Sequence, residues 1–122
     1  MEKTILFIYG SLKRGHLNHR RIADQEYLGN AVTQPHYRII SLGKYGGLIR
    51  DDTNGLAVKG ELWAVSRCAL LELDDFEIGE GLWARFPVEV VGYGLAEAYF
   101  WTGEVPDGVV SGDEWPVAGT DS

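Results

Sequence analysis

Two carboxylates three residues apart, Asp74 and Glu77, are the side chains of this 122-residue chain whose spacing best suits chemistry. They lie in Arg67–Glu77, which reads as the clearest helix in the chain, with Ser66 as its N-cap. At about 100° per residue, Asp74 falls roughly 40° to one side of Leu70 and Glu77 roughly 20° to the other. Glu72 and Asp75 point away from that apolar stripe. Two acids on the core side of an amphipathic helix are partly shielded from water and close to other negative charge. Both conditions raise a carboxyl pKa toward neutrality. A carboxyl poised there can take a proton and return it, as general acid–base catalysis requires. Against this, five of the nine residues 72–80 are acidic, so a helix that ends early would leave only a charged surface patch. Periodicity does not choose between Asp74 and Glu77.

A second candidate is the segment Tyr9-Gly10-Ser11-Leu12-Lys13-Arg14-Gly15, which directly follows a β-branched and aromatic run. Glycine lets the backbone turn sharply and approach a ligand closely. Successive N–H groups in such a turn can cradle an anion or a developing oxyanion. A plain tight turn is the competing interpretation. The glycine spacing is not that of a phosphate P-loop, and no nucleophile elbow surrounds Ser11. His16 and His19 would need an acid or a cysteine beside them to hold a metal, so no metal site is expected. Cys68, early in the helix, reads as a buried or half-buried structural residue. Arg85, the only basic residue after position 68, is expected to pair with an acid within or near the site.

The elements that must carry these groups are short. Strands are expected over Thr4–Tyr9, Tyr27–Val32, His36–Leu42, Gly46–Ile49, Leu56–Val65, Trp83–Val91 and Ala96–Trp101, with a short helix over His16–Ala23. Asn54-Gly55 is a hairpin signal, Gly60 marks a bulge or a close approach, and the last two strands turn near Gly92–Gly94. Many short strands and one good helix predict an α+β fold, a small curled or barrel-like mixed β-sheet carrying one main helix. Residues 1–122 read as one domain, of which 103–122 form a loop-like acidic tail docked by Trp115.

Composition narrows the function. The net charge of −7 argues against a nucleic-acid partner held by bulk electrostatics, and no apolar run reaches the length of a membrane span. Residues 1–68 carry +4 and residues 69–122 carry −11, so Lys13, Arg14, Arg20 and Arg21 could form an anion-attracting rim or merely a solvated face. One cysteine and a start without a secretory pattern fit the cytoplasm.

Four blocks in order carry a family resemblance. Tyr9-Gly10-Ser11-Leu12 after the first strand resembles the Tyr-Gly-Ser/Thr-Leu signature of the gamma-glutamylcyclotransferase-like family. Lys13-Arg14-Gly15 with Asn18-His19 is similar to its gamma-glutamylamine branch. Val58–Val65 resembles the family's Gly-Glu-aromatic strand, Leu73-Asp74-Asp75-Phe76-Glu77 its catalytic segment, and Trp83-Ala84-Arg85 its aromatic-x-Arg element. The resemblance implies an enzyme that converts a small gamma-glutamyl compound to 5-oxoproline and a free amine without a cofactor. It assigns Glu77 the acid/base role and Asp74 a structural one, with Tyr9, Gly10, Ser11, Leu12 and Arg85 at the substrate. Trp83 and Trp101 stand where the family more often has tyrosine, and Ile78 where glycine is common. The competing class is a non-catalytic module that uses the same pocket for an anionic metabolite or a protein.

Overall fold

The computed structural model describes residues 2–79 and 81–117, so Glu80 and the last five residues of the expected tail lie outside it. The chain runs β1 (Lys3–Ile8), β2 (Glu26–Val32), β3 (Tyr37–Ser41), β4 (Gly46–Arg50), β5 (Lys59–Ser66), α1 (Arg67–Ile78), β6 (Trp83–Val90), β7 (Gly94–Trp101) and β8 (Ser111–Gly112). It is the α+β arrangement expected, a curled mixed sheet with one helix.

β1 is central because both of its faces are covered, which is why it reads as an unbroken apolar run. Leu6 and Ile8 face α1, whereas Phe7 and Tyr9 face the inside of the curl. β1 pairs antiparallel with β5 and parallel with β7, and the sheet order is β2-β5-β1-β7-β4-β3-β8, with β6 on β7. A bridge between Thr33 and Val90 joins the end of β2 to the end of β6 and brings the sheet back on itself. Inside lie Tyr37, Ile39, Leu48, Val58, Val88, Ala98 and Phe100. Between sheet and helix lie Ile22, Trp63, Val65 and Leu73. Among the described residues no helix is long and apolar enough to cross a membrane.

Several local signals operate as read. Ser66 Oγ accepts the Ala69 N–H and caps α1, and β6 and β7 turn at residues 91–93. Gly60 is a close approach: a Cβ there would stand 2.6 Å from the Ile8 carbonyl oxygen and from the Phe7 ring. Other signals fail. Asn54-Gly55 makes no hairpin; β3 and β4 turn instead at residues 42–45, and Asp51 accepts the Thr53 and Asn54 N–H groups to shape an irregular connection. The helix expected over His16–Ala23 shrinks to a single 3₁₀ turn, His19–Arg21, within a chain of tight turns. Cys68 is exposed, not buried.

The stretch from residue 103 holds more than loop. β8 pairs with β3, and Trp115 and Val117 are buried in the inner core. The Trp115 ring packs on Gly46, and its carbonyl accepts the Lys13 ammonium at 2.7 Å.

Candidate active site

The last turn of α1 and the turn that follows β1 line one cavity of about 350 Å³. α1 reaches it because Ala69 and Leu73 are buried on the sheet and Leu70, Glu77 and Ile78 are partly covered beside them, whereas Leu71 is 58% exposed. The buried stripe is therefore centred nearer Leu73 than Leu70, which brings Glu77 inside it and leaves Asp74 at its edge.

Glu77 is half-buried on the cavity wall. Burial raises its carboxyl from the ordinary 4.5 to about 7, against the pull of the Arg21 guanidinium toward the carboxylate. The cause differs from the sequence expectation, in which neighbouring acids contributed. Glu72 and Asp75 point into solvent, Asp74 is neutralised by an arginine, and Glu80 lies outside the described residues. Burial is sufficient.

Asp74 is held by a fork. Arg85 donates from Nε to Oδ1 at 2.9 Å and from Nη2 to Oδ2 at 3.0 Å, and the Tyr99 hydroxyl donates to Oδ1 at 2.7 Å. The remaining Arg85 nitrogen, Nη1, binds Glu97. Arg85, expected at the substrate, is thus absent from the cavity wall: its three guanidinium nitrogens are occupied in tying α1 to β6 and β7. Asp74→Asn would lose the charge-assisted fork and leave Arg85 half satisfied. Its expected cost is about 1–3 kcal/mol, seen as a lower urea midpoint at neutral pH.

Opposite Glu77 the turn Tyr9–Leu12 is rigidly built. Lys13 N–H bonds the Gly10 carbonyl at 3.0 Å, and Asn18 returns to Ser11 twice, N–H to carbonyl and Nδ2 to Oγ, each at 2.9 Å. His19 sits against the Leu12 carbonyl at 3.0 Å through Nδ1. Further out, Glu61, only 7% exposed, accepts the Arg14 N–H and the Trp63 indole N–H with Oε1, both at 3.1 Å. Every carbonyl in that account is engaged, yet among the described residues the N–H groups of Gly10, Ser11 and Leu12 meet no protein acceptor. All three residues line the cavity. Tyr9 forms wall and strut: its buried hydroxyl donates to the Tyr99 carbonyl at 2.7 Å and accepts the Leu48 N–H at 3.1 Å. Burial first, and Glu77 second, push the Tyr9 hydroxyl far above its usual range, so it stays protonated.

Glu77, Tyr9, Gly10, Ser11 and Leu12 are therefore neighbours around one space. The sequence reading gave no site role to Tyr99, Tyr45, Phe76, Leu82 or Asn18, which line it too. Tyr99 had a signal, since it alternates with Trp101 on β7 and so shares its face. Trp101 itself is not among the lining residues, and its ring lies 5.3 Å from that of Trp83, which does line the cavity. Of Lys13, Arg14, Arg20 and Arg21, Arg20 is exposed and the other three have separate neighbours. Lys13 is spent on Trp115, Arg14 on Glu61 and Tyr27, and Arg21 lies over Phe76.

Known proteins resemble the chain in sequence and in fold. The family described as gamma-glutamyl cyclotransferase, AIG2-like, matches residues 6–117. The human gamma-glutamylaminecyclotransferase is 34% identical over 95 residues, covering 71% of this chain and 61% of the human one. The gamma-glutamylcyclotransferase family protein YtfP of Escherichia coli is 32% identical over 94 residues, covering 77% and 79%. Its solution structure superposes with a TM-score of 0.68 over 91% of this chain and 93% of that one, at 28% identity. A mouse AIG2-like protein superposes with a TM-score of 0.72 over 87% and 82% at 23% identity, a likeness of fold. The chain spans about three fifths of the length of the first curated relatives it matches.

Proposed function

The chain belongs to the gamma-glutamyl cyclotransferase, AIG2-like family, and from that premise we propose that it is an enzyme releasing 5-oxoproline and a free amine from a small gamma-glutamyl compound. In this reaction the nucleophile belongs to the substrate. Its uncharged α-amine attacks its own γ-carbonyl carbon, forming the lactam C–N bond and an oxyanion. Glu77, as carboxylate, accepts the proton the α-nitrogen sheds. The carbonyl then re-forms, the bond to the outgoing nitrogen breaks, and Glu77 returns the proton to that nitrogen. Protons and charge balance, and the steps as written need neither metal nor cofactor.

Holding amine and carbonyl in near-attack geometry supplies much of the acceleration. The N–H groups of Gly10, Ser11 and Leu12 are suited to hold the substrate carboxylate or the oxyanion, and Tyr9 walls the space. The observation that carries this reading is Glu77 itself: a half-buried carboxyl with a pKa near 7, on the wall of a cavity whose other side offers unused N–H donors. A plain anion-binding module has no need of a carboxyl poised at neutrality. A single exposed cysteine suits a cytoplasmic setting.

The turn makes a prediction of its own. A Cβ at Gly10 meets no protein atom within 4 Å, so Gly10→Val is expected to fold and to intrude only on the ligand, with kcat/KM down by more than about tenfold. Ser11→Ala keeps its N–H and is expected to stay within about tenfold of the parent, losing about 1 kcal/mol with the Asn18 bond. Should Ser11→Ala abolish turnover while Gly10→Val spares it, the backbone cradle is wrong. The broader test is a screen of gamma-glutamyl amines, amino acids and peptides scored by 5-oxoproline release. Binding without release across the screen would favour the non-catalytic module.

A further inference from the structure

We propose that Arg21 is a specificity-determining residue at the rim of this cavity, reading a carboxylate on the leaving amine. Gamma-glutamyl compounds whose amine portion is acidic would then be preferred over neutral counterparts of the same size. The inference rests on the cyclotransferase reading above and adds to it the chemistry of the leaving group.

Arg21 is carried by a fixed backbone. It closes the 3₁₀ turn His19–Arg21, between Asn18, which is buried and bonded to Ser11, and Ile22, which is fully buried beneath α1. Its guanidinium carbon lies 3.6 Å from the centre of the Phe76 ring. Phe76 lines the cavity and precedes Glu77, so the stacked cation stands at the edge of the reacting space. A guanidinium lying on an aromatic face keeps its N–H edge outward, and its planar fork matches a carboxylate.

Of the other lysines and arginines near the turn, three are already committed, and Arg20, exposed in the same 3₁₀ turn, stacks on no residue of the cavity wall. Lys13 bonds the Trp115 carbonyl, Arg14 pairs with Glu61, and Arg85 is closed by Asp74 and Glu97. Arg21 has no ion-pair partner among the described residues. Inside the cavity the turn's N–H groups can serve the glutamyl end, and among the described residues Tyr45, Leu82 and Trp83 of its lining carry no charge. A cation for the far end of the substrate has to come from the rim. Arg21 is also close enough for its charge to be felt by the Glu77 carboxyl.

The test uses a matched pair, gamma-glutamylglycine and gamma-glutamylglycinamide, which differ only in the charge of the leaving amine's far end. 5-Oxoproline release is measured near pH 8 for the parent, Arg21→Gln and Arg21→Lys. The parent is expected to favour the acid by about tenfold in kcat/KM, chiefly through KM. Arg21→Gln should bring the ratio close to one, and Arg21→Lys should keep part of it. The ratio is the useful quantity, because any effect of Arg21 on the ionisation of Glu77 falls equally on both compounds. If the parent turns over both compounds equally, or Arg21→Gln leaves a preference untouched, the Arg21 proposal is overturned and the cyclotransferase reading stands. If the parent releases 5-oxoproline from neither compound nor from the wider screen, both fall together.

Discussion

Glu77→Gln is expected to fold, to bind a gamma-glutamyl ligand as the parent does, and to turn it over at least ~10²-fold more slowly. The amide has nearly the shape of the acid and can still hydrogen-bond, but it can neither accept the α-amine proton nor return it to the departing nitrogen. What remains is the acceleration from positioning and from the N–H donors of Gly10, Ser11 and Leu12, which the substitution leaves in place. The loss should therefore appear in kcat with little change in binding. Turnover within a few-fold of the parent would remove Glu77 from the mechanism. Asp74→Asn is the internal control: it changes a carboxylate one turn away on α1, and it is expected to lower stability through the Arg85 fork.

The second large effect is in pH, and its sign follows from the environment of Glu77. Burial lifts the carboxyl from 4.5 to about 7, so the ionised form is worse off in the folded protein than in the unfolded chain. The penalty is absent below about pH 4.5, where the group is protonated in both states. It grows as pH rises from 4.5 to 7 and is constant above. At about 1.4 kcal/mol per pKa unit, the full penalty is on the order of 3 kcal/mol. Glu77→Gln escapes the charge but still buries an amide, so its advantage at pH 7.5 is expected at about 1–3 kcal/mol. That advantage should shrink toward zero at pH 4. Catalysis runs the other way: kcat/KM, corrected for the fraction of substrate whose α-amine is uncharged, should rise about tenfold per unit up to roughly pH 7 on a limb set by this carboxyl. That is ~10² between pH 5 and pH 7. Urea midpoints for both proteins at the two pH values check the first half, and a pH–rate profile the second. A Gln variant no more stable than the parent at pH 7.5 would mean that Glu77 is solvated or paired, and with it the poised carboxyl would go.

What the amino-acid sequence determined alone is what local interactions decide. The apolar run of β1, the Ser66 cap, the α1 periodicity and the turn between β6 and β7 each need only residues a few positions apart, and each forms where it reads. The turn Tyr9–Leu12 and the placement of Glu77 on the covered face of α1 were legible for the same reason. Family resemblance, not periodicity, set Glu77 apart from Asp74.

The tertiary structure decided the rest, because it depends on partners distant in sequence. Asp74 is held by Arg85 and Tyr99 because β6 and β7 bring them to it, and the same network, with Glu97, engages Arg85 away from the cavity wall. Asn54-Gly55 lost its hairpin to the Asp51 side chain and to a shorter turn between β3 and β4. Lys13, Arg14, Arg20 and Arg21 lie close in sequence, yet folding gives three of them different neighbours: the Trp115 carbonyl for Lys13, Glu61 for Arg14 and the Phe76 ring for Arg21. Most of all, the pKa of Glu77 is a product of burial. Composition correctly predicts that an acidic half exists, but only the packing of α1 against the sheet sets how much water one carboxylate loses, and that loss is what moves it toward neutrality.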